Sequence, residues 1–392
     1  MSAKLLAALS CVGCLAASPA MAESADAGMR LRLAYTAEVW SDVSGGLNRG
    51  GAFLDTADVQ FGADLDREIG WAGASLFVHA LTTSDNSIAQ KTGALQGNSN
   101  IEAGIAAVRL MEAWVDQAFA GDHGSLRVGL YDLNTEFDAG EVRALFLMPS
   151  HGLGADLAQA GENGPSTFPV TSLSARLNLN FDNGMYVRAA ILDGVPGDPA
   201  HPKRTTIDLS ARDGALLIAE VGKSEETGRW SLGAWGFTAT APDLASATGR
   251  RHNRGAYAAI EQRLLSVEDC GFALAGSLRF GVANADTNQL SSYFGATLVA
   301  TRLFPSRPDD QLGVALAIGS TGESYRRMIA ADGASPAPAE LNVELTYNAP
   351  LTDWLIVQPD VQWVVNPGAD RRTDDALVVG VRLQLVQSFA FD

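Results

Sequence analysis

The alternation of apolar and polar residues along this chain is the feature that most limits its fold. Leu173, Leu177 and Phe181 fall on one face of an extended strand, and Arg176 and Asn178 fall on the other. Successive side chains of a β-strand point to opposite faces, so this spacing predicts a strand with one apolar and one polar side. Helical spacing does not fit, because charges at alternate positions would lie all round a helix.

The same pattern repeats to the end of the chain. A soluble sandwich can contain single strands of this kind. A long series of strands, each apolar toward lipid and polar toward a lumen, is typical of transmembrane barrels. We predict an all-β fold, a single antiparallel transmembrane barrel of about sixteen strands. The predicted segments are 29–40, 52–66, 71–82, 104–119, 125–134, 171–181, 184–193, 213–222, 229–239, 254–264, 271–283, 291–304, 311–319, 340–348, 353–366 and 374–390.

The predicted fourth strand, 104–119, is the least regular. Arg109 falls on the parity that Met111, Ala113 and Val115 would present to lipid. One extra residue in a strand shifts this parity locally. We therefore predict a β-bulge or a misplaced strand edge in this segment.

The connections between the predicted strands alternate between short and long. Residues 182–184 form a short one, in which Asn183-Gly184 is a strong hairpin signal because both residues tolerate positive φ. Outer-membrane barrels have short periplasmic turns and long extracellular loops, so both termini are predicted on the periplasmic side. The long connections are 83–103, 135–170, 194–212, 240–253 and 320–339.

The longest connection, residues 135–170, is rich in glycine and proline and has no clear period. It is either an exposed surface loop or a loop folded into the lumen. A barrel of about sixteen strands is wide enough to leave an aqueous channel. Because a selective channel of that width has to be narrowed, we favour a loop inside the lumen.

The beginning of the chain predicts export. Lys4 precedes an apolar run from Leu5 to Ala17, and residues 18–22 end in the small-x-small pattern that signal peptidase recognises. We predict a signal peptide at 1–22, cleaved near Ala22, and an outer-membrane β-barrel at 23–392. The mature chain would retain one cysteine, Cys270, which excludes an internal disulfide.

The mature chain is acidic, with 45 acidic residues and 27 basic ones (28 less Lys4), so its net charge is 27 − 45 = −18. This balance argues against a nucleic-acid partner and is compatible with a cation-leaning pore. The histidines are scattered without metal-ligand spacing, and no nucleophile motif is present, so no metal, cofactor or catalytic site is predicted. Acidic loop pairs such as Asp309-Asp310 leave calcium binding open.

The chain resembles the carbohydrate-selective outer-membrane porins of the OprB type over nearly the whole mature sequence. The order and spacing of several short stretches carry the resemblance. These stretches are Ser44-Gly45-Gly46, Gly70-Trp71-Ala72-Gly73-Ala74, residues 99–103, 109–117 and 126–137, Glu344-Leu345-Thr346-Tyr347, residues 356–362, Asn366-Pro367-Gly368 and Asp375-Ala376.

The resemblance implies a sixteen-stranded porin in the Gram-negative outer membrane that passes mono- and oligosaccharides by diffusion, without an energy source. The chain departs from such barrels in two respects. Many of them end on an aromatic residue, whereas here Phe391 is followed by Asp392. Aromatic residues are also sparse at 7%, which predicts a small stacking surface for sugars.

A sugar pore needs polar partners for hydroxyl groups and a flat apolar surface for C–H faces. Residues on the lumen parity of strands four to six, beside the long loop, are our first choices. The candidates for substrate binding and constriction are Glu112, Trp114, Asp116, Arg127, Tyr131, Glu136, Arg176, Arg188, Asp360 and Gln362, with Glu344 and Arg382 on the same parity. Any of these charges could instead simply hydrate the pore.

Other functions remain open at this stage. The first is a general or cation-leaning diffusion porin, which the net charge motivates. A barrel enzyme acting on lipid would need a Ser–His pair on the lipid-facing surface, whereas His79 shares the lumen parity of Ser75. A surface adhesin or structural barrel is supported only by the long loops. The predicted partners are small carbohydrates in transit and outer-membrane lipid, and a homo-oligomer is left open.

Overall fold

Sixteen strands form one closed antiparallel barrel, in which each strand pairs with its sequence neighbours and the first pairs with the last. The computed structural model describes residues 27–121, 123–246, 248–267 and 271–391, so the predicted signal peptide and Cys270 lie outside the described residues. The strands are β1 (Met29–Gly46), β2 (Gly50–Asp64), β3 (Ala74–Thr83), β4 (Ala107–Phe119), β5 (Gly124–Tyr131), β6 (Ser172–Asn180), β7 (Met185–Asp193), β8 (Ala215–Glu225), β9 (Gly228–Pro242), β10 (Arg250–Ser266), β11 (Ala273–Ala283), β12 (Leu290–Thr301), β13 (Gln311–Thr321), β14 (Ala339–Thr352), β15 (Leu355–Val365) and β16 (Asp374–Phe391).

The predicted fold class and the sixteen predicted segments are confirmed, and each segment overlaps one strand. Two connections are clearly shorter than predicted, the one between β1 and β2, which spans only residues 47–49, and the one between β9 and β10. The pairing of β9 with β10 continues out to Pro242 and Arg250, so the connection predicted at 240–253 shrinks to residues 243–249. Backbone pairing between neighbouring strands thus continues beyond the point where the side-chain alternation fades.

The helices are short and lie in the connections. They are α1 (Leu65–Ile69), α2 (Ala89–Thr92), α3 (Pro149–Gly152), α4 (Ala155–Ala158) and α5 (Glu323–Ala331), with 3-10 turns at Leu133–Thr135, Arg143–Leu145 and Pro367–Ala369. Helix α1 begins after Asp64, whose carboxylate accepts from the backbone N–H groups of Asp66 and Arg67, and it ends at Gly70 in the left-handed conformation.

None of the helices among the described residues is both long and apolar enough to cross a membrane.

The two faces of the barrel wall follow the sequence alternation. On β5 and β6, Arg176 is 1% exposed in the lumen, whereas Val128 and Leu177 on the outer face are 49% and 41% exposed. An apolar outer face and a polar lumen are what a bilayer requires of a spanning barrel. Among the described strands each pairs with a neighbour on both sides, so the ring is closed, as a bilayer core without water requires.

The predicted irregularity in β4 is confirmed as a β-bulge at Met111. Glu112 pairs with His79 and Leu110 pairs with Ala80, so Met111 has no partner of its own on β3. The extra residue places Arg109 and Glu112 on the same side, and both are buried in the lumen at 4% and 1% exposure.

The connection between β5 and β6, residues 132–171, folds into the lumen and is called loop 3. Carboxylates on the barrel wall hold its backbone. Glu261 of β10 accepts from the N–H of Glu141 at 2.9 Å, and Glu344 of β14 accepts from the N–H groups of Leu147 and Met148 at 2.6 and 3.1 Å. Both side chains accept hydrogen bonds from loop N–H groups that would otherwise lack partners inside the lumen, so these contacts fix the loop across it.

A buried group of four charges, called the anchor cluster, holds the middle of loop 3. It comprises Asp138, Arg143 and Asp156 of the loop and Arg279 of β11. The guanidinium of Arg279 lies 2.8 Å from Asp138 and also pairs with Asp156, and Arg143 lies 3.3 Å from Asp138. Because these side chains are at most 3% exposed, the cluster is structural and lies away from solvent.

The connection between β3 and β4, residues 84–106, also enters the lumen and is called loop 2. Glu340 of β14 accepts from the N–H groups of Leu95 and Gln96 at 2.8 and 2.9 Å. Gln362 of β15 and the loop residue Asn98 hydrogen-bond each other twice, at 2.8 and 3.0 Å. These contacts hold loops 2 and 3 against β10, β11, β14 and β15.

Candidate pore constriction

Glu136, at the start of loop 3, is the centre of a second charge group on the wall of β4 to β7. Its carboxylate accepts from the Tyr131 hydroxyl at 2.5 Å and from the Arg176 Nε at 2.7 Å. The Arg127 guanidinium lies 3.7 Å away. Loop 3 thus brings a negative charge against side chains of two neighbouring strands.

The strand register explains how the other members of the group meet. Asp116 of β4 pairs with Arg127 of β5, which in turn pairs with Arg176 of β6. All three side chains point into the lumen, and Asp116 accepts from Arg127 at 2.9 Å and from Arg176 at 2.6 Å. Side chains directly opposite one another on neighbouring strands are close enough to interact, so the sequence spacing and the pairing together produce the ion pairs.

Arg188 of β7 extends the group toward β8. It donates to the main-chain carbonyl of Glu136, and its guanidinium lies 4.0 Å from Glu220 and 4.2 Å from the ring centre of Tyr186. We call Asp116, Arg127, Glu136, Arg176 and Arg188 the constriction cluster.

The three guanidiniums determine the charge state of Glu136. Burial by itself raises the pKa of this carboxyl, but Arg127, Arg176 and Arg188 outweigh it and hold the pKa below its usual value. Glu136 is therefore ionised at neutral pH, and its side chain remains 20% exposed. The cluster offers both a carboxylate and guanidinium N–H groups to a passing solute.

Trp114 packs beside these charges and is 8% exposed. The Arg127 guanidinium lies 3.7 Å from its ring centre, in cation–π geometry, and Phe77 stacks on it with ring centres 5.1 Å apart. The indole N–H donates to Glu112 at 3.2 Å. Glu112 also accepts from the N–H of Asp132 at 3.2 Å, so it positions the indole and the start of loop 3.

A cavity of about 400 Å³ lies on the periplasmic side of Glu136. Its polar walls come from the constriction cluster and from the ends of β7, β8 and β9. The residues that matter for its chemistry are Glu136, Tyr186, Arg188 and Arg229. Arg229 donates to the Tyr186 hydroxyl at 3.3 Å.

The structure brings together eight of the ten predicted site residues, on β4 to β7 and loop 3, and places Asp360 and Gln362 elsewhere. Asp360 and Gln362 share the lumen parity but lie on β15, 2% and 0% exposed, where Gln362 holds loop 2 and donates to Asp360 at 3.1 Å. Glu344 holds loop 3 and Arg382 pairs with Glu38, so both serve as loop and wall contacts.

Sequence reasoning missed Phe77, Tyr186 and Arg229. Tyr186 lies two residues before Arg188 on the same face of β7, so the parity rule could have identified it. Phe77 shares the lumen parity of Ser75 and His79, but its place in the site depends on the pairing of β3 with β4, which sets it opposite Trp114.

The described residues contain no group of three or more His, Cys, Asp or Glu side chains placed to hold a metal ion. His79 is bound to Asp58 at 2.9 Å and is 1% exposed inside the lumen. The Ser–His pair at the lipid surface that a lipid-acting enzyme would need is therefore not formed by His79.

Comparison with known proteins agrees with this geometry. A family model described as carbohydrate-selective porin, OprB family, matches residues 48–386. Porin B of Pseudomonas aeruginosa is 23% identical and covers 93% of this chain and 88% of its own length.

Two solved structures resemble the fold. The high-pH structure of Pseudomonas putida OprB superposes with a TM-score of 0.81 at 20% identity, covering 92% of this chain and 94% of that one. The outer-membrane channel DcaP of Acinetobacter baumannii superposes with a TM-score of 0.56 at 9% identity, covering 93% and 98%.

Proposed function

This chain belongs to the carbohydrate-selective porins of the OprB family, and we propose that the constriction cluster together with Trp114 is the place where it selects sugars. The protein is an outer-membrane porin through which carbohydrates diffuse. Its fold and family are those of a channel rather than an enzyme. What the proposal adds is the identity of the selecting residues and the range of solutes, mono- and oligosaccharides.

The observation that carries the proposal is the position of Trp114 beside Arg127, 3.7 Å from ring centre to guanidinium. Sugars present hydroxyl groups at their edges and C–H groups on their faces. The part of the indole that Arg127 and Phe77 leave uncovered can meet the C–H groups, and the charged groups on the adjoining strands can meet the hydroxyls. Trp114 is 8% exposed and Arg127 is 12% exposed, so each retains some surface toward the lumen.

The nearly balanced charge at the constriction supports a neutral solute. Three guanidiniums face Asp116 and Glu136, with Glu220 4.0 Å from Arg188. A ring of one sign would favour ions of the opposite sign. A mixed group favours hydrogen bonding to uncharged hydroxyls.

Planar-bilayer recordings test the proposal. Addition of glucose or maltotriose to the purified protein should reduce the ion current, because a sugar in the constriction displaces ions. Sorbitol, which has hydroxyls but no ring face, should reduce it less. An ion current that neither glucose nor maltotriose reduces would contradict the proposal.

The second candidate is a general, cation-leaning diffusion porin. Its support is the overall acidity of the chain, with a net charge of −17 for the full sequence. The reversal potential in a KCl gradient separates the two candidates. Strong cation selectivity without any sugar effect would favour the general porin.

The apolar outer face of the barrel is suited to contact with outer-membrane lipid. A homo-oligomer would bury part of the same wall. Native mass spectrometry of the detergent-solubilised protein would give the number of copies, and bound lipid would appear as added mass.

A further inference from the structure

A second cavity, of about 420 Å³, lies on the extracellular side of the barrel between loop 2, loop 3 and the connection 194–214. Its volume is within the range of about 300–1,000 Å³ that is usual for small-molecule sites. The lining residues used below are Arg109, Asn163, Thr167, Phe168, Asp198 and Arg204. It lies at the mouth of the barrel, above the constriction cluster.

Arg109 is the unusual feature of this cavity. The side chain is 4% exposed, yet it forms no ion pair with any carboxylate in the described ranges. One terminal nitrogen donates to the main-chain carbonyl of Pro202, and the Nε has no hydrogen-bond partner. The constriction arginines differ, since Arg127 and Arg176 each contact two carboxylates.

The position of Arg109 is set by the fold. The bulge at Met111 turns it into the lumen, and the connection 194–214 covers it. The Thr205 hydroxyl in that connection accepts from the N–H of Leu110 at 2.9 Å, and this bond holds the connection over Arg109. A buried charge without an oppositely charged partner is costly, so an anion that reached this guanidinium would be bound favourably.

The other charges around the cavity do not cancel Arg109. Asp198 also lines it, but its carboxylate is engaged by His201 at 2.6 Å and by the N–H of Ala200 at 2.8 Å. Arg204 adds a second positive charge. The polar side chains of Asn163 and Thr167 and the ring of Phe168 complete a surface for hydroxyl groups and a C–H face.

We infer that this cavity is an entry subsite for polyhydroxy carboxylates, that is, sugar acids, whose carboxylate pairs with Arg109. A guanidinium binds a planar carboxylate through parallel N–H donors, and the buried Nε of Arg109 is one such donor without a partner among the described residues. The inference rests on the proposed function, because it adds an acidic class to the carbohydrates that the channel passes. It concerns the outer mouth, whereas selection of neutral sugars is assigned to the constriction.

Uptake into liposomes that contain the purified full chain tests the inference. The rates of D-gluconate and D-glucose entry are measured over a range of concentrations at low salt. Wild type should reach half-saturation at a lower concentration with gluconate than with glucose. Arg109→Gln should raise the gluconate value about tenfold, which is the size expected for the loss of one hydrogen-bonded charge contact, and leave glucose unchanged.

Two further variants control for charge and folding. Lys203→Gln removes a neighbouring positive charge that does not line the cavity, and it should behave as wild type. Arg109→Lys keeps the charge and should retain part of the gluconate preference. Heat-modifiable migration in SDS gels confirms that each variant is a folded barrel.

The outcomes separate the inference from the proposed function. Equal effects of Arg109→Gln on gluconate and glucose, or a Lys203→Gln effect of the same size, would overturn the subsite. Absence of glucose entry in the wild type would instead count against the proposed sugar pore itself.

Discussion

Loop 3 contributes Glu136 to the constriction cluster and Asp138, two residues later in the sequence, to the anchor cluster. Glu136 is 20% exposed and Asp138 is 0% exposed. Aspartate and arginine occur in both clusters. In the constriction cluster Asp116, Arg127 and Glu136 keep 12% to 20% of their side chains exposed, whereas the side chains of the anchor cluster are at most 3% exposed. The comparison teaches that burial, rather than residue type, separates a group that meets solutes from one that holds the fold.

Hydrogen-bond use shows the same difference. The Asp138 carboxylate accepts from Arg143, Arg279 and the N–H of Gly154, at 2.8 to 3.3 Å. Little hydrogen-bonding capacity of this carboxylate remains for a solute. Arg188 of the constriction cluster has an Nε without a partner among the described residues, beside a cavity of about 400 Å³.

The largest effect is expected from Arg279→Ala in the anchor cluster. The change leaves Asp138 and Asp156 as buried carboxylates without their main partner, which costs about 3–5 kcal/mol. Loop 3 should be released, so single-channel conductance should rise and trypsin should cut the loop. Arg302→Ala, an exposed residue in a periplasmic turn, is the control. If Arg279→Ala kept the conductance and protease resistance of the wild type, the anchor cluster would not be what holds loop 3.

As the pH falls, the anchoring of loop 3 should weaken before Glu136 in the constriction cluster is protonated. Burial, assisted by Arg143, lowers the pKa of His151 in α3 from 6.5 to about 3. Since the unfolded chain takes up this proton first, the stabilisation is full above about pH 6.5 and falls as the pH drops toward 3. Two groups face the imidazole of His151. The carboxyl group of Glu344 lies 3.8 Å from its Nε2, and the Tyr293 hydroxyl lies 3.4 Å from its Nδ1.

The variant His151→Asn tests this pH dependence. Conductance and current noise are recorded between pH 7 and 3, and the variant should change less than wild type. Asp132, whose pKa is raised by burial from 3.8 to about 6, contributes a slope of opposite sign, so the difference between the two proteins is the quantity to compare. His201→Asn, at an exposed histidine, should match wild type. Identical profiles for His151→Asn and wild type would contradict the prediction.

A smaller effect, confined to selectivity, is expected from Glu136→Gln. The amide keeps the shape of the side chain but removes the negative charge that faces Arg127, Arg176 and Arg188. The reversal potential in a KCl gradient should shift toward anion selectivity while the barrel stays folded. Glu225→Gln changes a 57% exposed carboxylate at the end of β8 and should leave the potential unchanged.

The smallest effect is expected from Trp114→Leu. The change removes the aromatic face that contacts Arg127 and Phe77 but keeps an apolar side chain. Aromatic contacts of this kind contribute about 0.5–1.5 kcal/mol, so the glucose concentration that half-blocks the current should rise roughly threefold to tenfold. Phe119→Leu, an aromatic residue on the exposed face of the same strand, is the matched control. If glucose blocked the current equally in both variants, Trp114 would not belong to the sugar site.

The sequence by itself determined the barrel. Its period-two alternation predicted all sixteen strands, and the misplaced parity of Arg109 predicted the irregularity found at Met111. These features are local, because a bilayer outside and water inside impose the same rule on every strand. The length and composition of residues 135–170 were enough to favour a loop inside the lumen.

Only the tertiary structure decided which lumen charges meet the pore. Gln362 and Arg176 have the same parity, yet Gln362 holds loop 2 and Arg176 lies in the constriction cluster. Parity reports which face of the wall a residue lies on. Which part of the lumen each loop fills depends on contacts between residues as distant as Leu147 and Glu344, and no local pattern encodes them.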